Sequence, residues 1–437
     1  MEFPMKGIFL VLSFVVLCGL FSCSQSEKSK AVVQVIEKSD SCQQDTKHTY
    51  DVYIPERNYT EDKLPLLVII DAHGSGKFAL EKFKSGADQY PAVLVASNLV
   101  KNGFSNYVKA IQTLVDDVRQ KYPVSETVFL SGFSGGARMA LGYALSHPVN
   151  GLIMCGALAG ADQINVLHCP VFSISGTDDF NFVETAQYLF QEQSIPGNLK
   201  IELINASHNW PDSLMLSNAL GFLYLSNRSP KSGIKDYSQL QHQRIEQLKE
   251  KGEFLKAGLI ARNMSTTAPF SSDKSFASEY SDLKGGVAYK SRLKKLEDAL
   301  KFEMKVRQPY MEALTTKDSL WWKNEIQSIN KKLDTEQDSF IIDMYRRIKA
   351  FWGIACYSLG NQAIQAKKTV ELGKILTVYK MLEPQNPDMM YFSAFPYFWK
   401  GDNEATLLQL RKACASGFSD MGRLKQDFPE SITAALN

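Results

Sequence analysis

Seven cysteines in 437 residues include no Cys-x-x-Cys pair, so the usual frame of a zinc site is missing and no metal is expected. A surplus of one charge is missing too. Lys and Arg total 49 against 47 Asp and Glu, a net charge of +2, which argues against nucleic acid as a partner. Long apolar runs are scarce. Only Gly7 to Phe21 is almost wholly apolar, and it falls short of the ~20 residues that a spanning helix needs. The second half of the chain lacks anything that reads as a strand. What remains, 44% apolar and 22% charged residues, is the composition of an ordinary globular protein.

The apolar run follows Lys6 and ends in Leu20-Phe-Ser-Cys23, with the polar Ser-Gln-Ser-Glu-Lys beyond it. This resembles a bacterial lipoprotein signal, which implies a leader over 1–22, lipid attachment at Cys23 and a membrane contact through that anchor only. The implied location is the cell envelope, the outer membrane ahead of the inner. Cys18, preceded by Leu17, fits the pattern less well. With Cys18 removed and Cys23 modified, Cys42, Cys155, Cys169, Cys356 and Cys414 remain, so at least one is unpaired within the chain. Cys42 is open to a disulfide, whereas Cys155 and Cys169 lie in apolar runs and read as packing residues.

Residues 23–45 are polar and read as a tether. Apolar strand patterns then alternate with helical ones. Thr49–Ile54 alternates with period two, while Leu66–Ile70 and Pro91–Ala96 are solidly apolar, as central parallel strands are. Val108, Ile111, Leu114, Val115 and Val118 carry a helical spacing. Further strands are read at Glu126–Ser131, Gly151–Cys155, Val171–Ile174 and Lys200–Ile204, with a closing helix over Leu214–Leu225. The alternation predicts an α/β fold, a mostly parallel sheet with helices on both faces, and an antiparallel edge at Thr49–Ile54.

Between one such strand and a helix lies Gly132-Phe-Ser-Gly-Gly136. Strand, Gly-x-Ser-x-Gly, helix is the context of a nucleophile elbow, where small neighbours let a serine rise above the sheet edge. A hydrolytic serine needs a base, an acid that orients the base, and donors for an oxyanion. The chain order Ser, acid, His is met at later strand ends by Gly176-Thr-Asp-Asp179 and by Ser207-His208-Asn-Trp-Pro211. Asp178 and Asp179 both qualify as the acid. His48, His73, His147, His168 and His242 have no such placement. His147 reads as a helix-end residue, and His48, His168 and His242 as surface or loop residues. The turn Ala72-His73-Gly74-Ser75-Gly76 follows a strand, and its amides, at Ser75 or Gly76, would join the Gly135 amide in an oxyanion hole.

Residues from about Thr46 to Leu225 resemble an α/β-hydrolase of the polyhydroxybutyrate-depolymerase and feruloyl-esterase-like group. The resemblance rests on Tyr50-Asp-Val-Tyr-Ile-Pro55, His73-Gly74, Gly132-Phe-Ser-Gly-Gly-Ala-Arg-Met-Ala140, Gly176-x-x-Asp179 and His208-x-Trp-Pro211, with Ser207 where that group usually carries Gly. It implies Ser134 as nucleophile, His208 as base and Asp179, the fourth position of its turn, as acid. It also implies an ester substrate and no cofactor. The short stretch between Gly151–Cys155 and Val171 leaves no room for an inserted cap, so the site is expected to be open and suited to a short acyl group on a large alcohol, such as a decorated polysaccharide. A serine peptidase, or an inactive hydrolase fold serving as a binding scaffold, is the alternative.

The expected division is a hydrolase domain over 46–226, a Ser- and Pro-containing linker over 227–236 and an all-helical domain over 237–437. Helical patterns cover Leu240–Asn263, Ala288–Leu314, Leu320–Leu333, Ile341–Leu359 and Gln362–Leu382, with a Ser-rich loop over Ser265–Gly286. Gly252-Glu-Phe-Leu-Lys-Ala257, Gly360-Asn-Gln-Ala363 and Gly401-Asp-Asn-Glu-Ala405 read as turns between hairpins. They resemble tetratricopeptide repeats, although Gly360 to Gly401 exceeds the standard period. That array implies a protein partner. The basic run over Tyr289–Gln308 holds Glu297, Asp298 and Glu303 at helical spacing and reads as a solvated, salt-bridged face.

Overall fold

The computed structural model describes residues 32–33, 35–58, 63–190, 195–227 and 231–436. The leader and Cys23 lie outside them. No helix among the described residues is long and apolar enough to cross a membrane.

Eight strands form one sheet: β1 (Ile36–Ser41), β2 (Thr49–Ile54), β3 (Leu64–Ile70), β4 (Val93–Ser97), β5 (Val124–Phe133), β6 (Gly151–Cys155), β7 (Val171–Gly176) and β8 (Leu199–Ile204). Their spatial order is β8-β7-β6-β5-β3-β4-β2-β1, parallel throughout except that β2 runs against both β4 and β1. This is an α/β-hydrolase fold followed by a large all-helical region.

The apolar run of β3 is explained by a core on each side. Leu66, Val68 and Ile70 face α3 (Tyr107–Lys121) and α4 (Gly135–Ala144). Leu67 and Ile69 face α1 (Gly76–Glu81), α2 (Lys84–Gln89) and α7 (Ser213–Asn227). The antiparallel strand is β2, as expected, but it is not the edge: β1, in the stretch read as a tether, lies one strand beyond it. A two-sided hydrophobic pattern is absent there because β1 is an exposed edge. It is held through Asp40, which accepts from the Tyr122 hydroxyl at 2.7 Å.

Of the stretch 227–236 expected as a linker, the described residues are helical. α7 ends at Asn227, and α8 (Lys231–Glu250) turns back through Gly252 into α9 (Phe254–Ser265). These two helices close the other edge of the sheet. The Asn263 side chain bonds both backbone groups of Ile201 on β8, accepting its N–H at 3.3 Å and donating to its carbonyl at 2.9 Å, as a neighbouring strand would. On the same strand, Glu202 is buried and meets Arg244 of α8 in a two-pronged pair at 2.9 and 2.7 Å. The Ser-rich stretch read as a loop contains α10 (Ser275–Gly285).

Beyond it come α11 (Val287–Thr316), α12 (Ser319–Thr335), α13 (Ser339–Gln365), α14 (Thr369–Leu382), α15 (Pro387–Phe392), α16 (Phe395–Phe398), α17 (Asn403–Ala415), α18 (Met421–Asp427) and α19 (Glu430–Thr433). They pack around an aromatic core in which Trp322 and Trp352 meet edge to face at 5.3 Å. Gly252 and Gly401 do turn between helices with positive φ. Gly360 does not, because it lies inside α13, where a Cβ would meet the Phe392 ring at 2.9 Å. A glycine read as a helix breaker is there for close packing, and the turn falls at Lys367.

Lys200 on β8 is fully buried and donates to Gly197 O at 2.9 Å and to Thr266 Oγ1 at 2.8 Å. Burial, and then the nearby Arg262, push its pKa down to about 7. Between that value and the ordinary lysine range the unfolded chain holds the extra proton, so this group adds stability as pH rises through the window. Lys200→Met is therefore expected to raise the thermal midpoint near pH 7, with the gap to wild type closing as pH approaches 10. Melting both proteins across that range checks it.

Candidate active site

Ser134 follows the last residue of β5 and precedes the first of α4. Its φ of 55° is a left-handed value that a side chain disfavours, the strain expected at an elbow. The turn survives because its neighbours have no side chain. A Cβ on Gly132 would run into the Gly136 backbone, and one on Gly136 into the carbonyl of Ile70. The Ser134 amide is tied to Cys155 O on β6 at 2.8 Å.

Two other strand ends meet this serine. The turn after β7 carries Asp179, and the loop after β8 carries His208. His208 Nε2 lies 2.9 Å from Ser134 Oγ, while its Nδ1 lies 2.9 Å from both carboxylate oxygens of Asp179. Asp179 is buried and also accepts the Asn181 N–H at 2.8 Å. The rings of Phe133 and Phe180 flank the imidazole at 4.7 and 4.2 Å. Asp178 points elsewhere, towards Arg346 at 3.9 Å, and burial followed by Asp343 raises its pKa. Serine, imidazole and carboxylate thus form a continuous hydrogen-bonded chain, with the charge of the acid shielded from water.

The oxyanion turn is arranged differently from the expectation. Ser75 N–H donates to Asp71 Oδ1 at 3.1 Å and Gly76 N–H to Asn98 Oδ1 at 3.0 Å. The His73 N–H also goes to Asp71, at 2.8 Å. Asp71 and Asn98 take up these amides, so the backbone N–H groups of Ser75 and Gly76 are not free for a substrate. The residue that lies against the elbow is Asn102. A Cβ on Gly135 would collide with its side chain, and its own N–H holds Ala72 O at 2.9 Å.

Asp71 was not singled out in the sequence, although an acid ending an apolar strand is a signal in itself, since burying a carboxylate is costly without donors. It is 3% exposed and receives, besides the two amides, the Trp210 indole N–H at 2.8 Å. Trp210 also packs on Phe133 at 5.5 Å. One carboxylate therefore joins the His73–Ser75 turn to the His208 loop.

The remaining histidines are apart from the site. His147 stacks on Tyr143 at 4.3 Å and His168 is exposed, as expected. His48 is not a surface residue. It is buried, with Nε2 2.9 Å from Ser97 Oγ, and burial lowers its pKa. His242 is half-buried in α8, between Glu279 at 2.9 Å and Asp273 at 3.3 Å. Cys42, Cys155, Cys169, Cys356 and Cys414 are all free thiols, Cys42 included. No cluster able to hold a metal occurs among the described residues.

No protein-family model matches the sequence, and no curated protein matches it. Among solved structures the chain is similar to Est1E from Butyrivibrio proteoclasticus, with 14% identity and a TM-score of 0.34 over 42% of this chain and 95% of that one. It is similar to the poly(3-hydroxybutyrate) depolymerase LpqC from Bordetella parapertussis, with 13% identity and a TM-score of 0.34 over 47% and 94%. A serine hydrolase without a lid from Xanthomonas campestris, XC6422, gives 18% identity and 0.34 over 45% and 97%. Similarity at this level, over less than half of this chain, says nothing of its activity.

Trp210→Phe keeps most of the ring packing and deletes the donor to Asp71. Leaving a buried carboxylate oxygen unmet costs about 1–3 kcal/mol. A urea unfolding curve of the variant should show a loss of that size.

Proposed function

We propose that the protein is a serine hydrolase of carboxylic esters. The observation that carries this reading is the bonded chain from Ser134 through His208 to Asp179 on a strained strand-to-helix turn. Ser134 Oγ attacks the ester carbonyl carbon as His208 Nε2 takes its proton. Asp179 holds the imidazole and stabilises its charged form. Collapse of the tetrahedral intermediate expels the alcohol, protonated by His208. Water then enters by the same route and releases the acid, restoring Ser134.

The Gly135 N–H is one donor to the oxyanion. Asn102, whose Oδ1 lies against Gly135 and whose Nδ2 is the group able to donate, is the second, in place of the Ser75 and Gly76 amides that Asp71 and Asn98 occupy. Between β6 and β7 only the short α5 (Ala161–Asn165) intervenes, which favours a short acyl group on a bulky alcohol, such as an acylated polysaccharide. An anchor at Cys23 would hold the enzyme in the cell envelope, where such substrates lie.

Wild-type protein should react with a fluorophosphonate probe and hydrolyse p-nitrophenyl acetate, with matched peptide substrates turned over far more slowly. Ser134→Ala should lose both reactions and melt as wild type does. Activity surviving that change would end the assignment. Asn102→Ala should lower kcat by about 10²-fold with little change in KM, and an unchanged kcat would place the second donor elsewhere.

A further inference from the structure

The helical half reaches the acid turn from behind. Glu303 on α11 and Arg347 on α13 are both fully buried, and Arg347 Nε donates to Glu303 Oε2 at 2.8 Å. A terminal nitrogen of Arg347 donates to the carbonyl of Thr177. Arg307, one turn along α11, donates to Glu303 Oε1 at 2.5 Å and to the carbonyl of Phe180 at 2.8 Å. Thr177 and Phe180 bracket Asp179 on either side. The Arg347 guanidinium also lies over the ring of Phe182, at the start of α6 (Phe182–Phe190), at 5.0 Å.

We propose that Arg307 and Arg347 are positioning residues for Asp179, and that one role of the helical half is to hold the catalytic acid in place. This rests on the serine-hydrolase reading above. A buried ion pair is a weak source of stability, because desolvating both charges offsets their attraction. Two arginines sharing one carboxylate are better suited to fixing geometry, since each planar fork aims its remaining N–H groups in set directions. Those directions end on the two carbonyls that frame the acid. The turn has its own ties as well: Thr177 N–H bonds Ile204 O at 2.9 Å and Asn181 Nδ2 bonds Gly156 O at 2.8 Å. These hold the turn to β8 and to the end of β6. On its outer side, the arginines are what it rests against. Phe180, gripped through its carbonyl, has its ring on His208, so loosening the turn disturbs acid and base together.

The test uses the full chain with p-nitrophenyl acetate. Arg307→Gln is expected to lower kcat by roughly tenfold to a hundredfold, the scale of a small misplacement of a catalytic group, with KM within about twofold and fluorophosphonate labelling slowed in parallel. Arg307→Lys, which keeps a charged donor, should recover part of the loss. If Arg307→Gln fails to fold, Glu303→Leu with Arg347→Met replaces the buried pair with apolar residues of similar volume, an exchange that folds tolerate, and it should show the same kcat loss. Hydrogen exchange of the 177–182 amides should quicken in each folded variant. Folded variants with wild-type kcat and wild-type exchange overturn the proposal. A wild-type protein that neither labels nor hydrolyses esters, while exchange still quickens in the variants, overturns the hydrolase reading and leaves the mechanical coupling standing.

Discussion

A carboxylate taken out of water must find a donor for its oxygens, and this requirement shapes the molecule wherever its parts meet. Asp71, Asp179, Glu202 and Glu303 are each at most 5% exposed. Each draws at least one donor from another element. Asp71 draws on the indole of Trp210 and on two turn amides, Asp179 on His208, Glu202 on Arg244, and Glu303 on Arg307 and Arg347. The cost of an unmet buried charge, several kcal/mol, far exceeds what a surface pair contributes. These four acids therefore fix which loop lies beside which helix.

The two halves of the chain are consequently a poor match for the idea of an enzyme with an appended adaptor. Helices α8 and α9 finish the sheet by covering the free edge of β8, where Asn263 takes the place of a missing strand. Left bare, that edge would present open backbone groups to other chains. Helices α11 and α13 then approach the acid turn. The hydrolase-like part ends in sequence near Asn227, but its packing ends further on.

The Ser134–His208–Asp179 constellation was legible because it is local. A glycine-flanked serine between strand and helix, an acid in a turn at one strand end and a histidine at another are each written in a few adjacent residues, and the parallel sheet brings strand ends together without further information. What escaped reading depends on where a side chain points. The run over Tyr289–Gln308 does contain solvated pairs, Lys294 with Asp298 and Lys301 with Glu297, yet Glu303 and Arg307 belong to the same helix and turn inward. Helical spacing alone does not separate the two faces when both are charged. The same holds for the oxyanion turn, whose glycines forecast freedom while Asp71 and Asn98 take up the amides, and for β1, whose polar edge sequence resembles a tether.

The helical array touches both sides of the site, and the contacts differ greatly in strength. On the acid side the fully buried Glu303–Arg347 pair and its carbonyl bonds leave little freedom. On the other side Lys101, next to Asn102, meets Asp420 at 3.5 Å with both side chains 42% exposed. A pair of that kind is worth about 0–1 kcal/mol and is screened by salt. The array is thus pinned firmly at the Asp179 turn and, through the Lys101–Asp420 pair, only lightly beside the loop that carries Asn102. On the serine-hydrolase reading proposed above, that would place rigidity where proton transfer needs fixed distances and slack beside the proposed oxyanion donor.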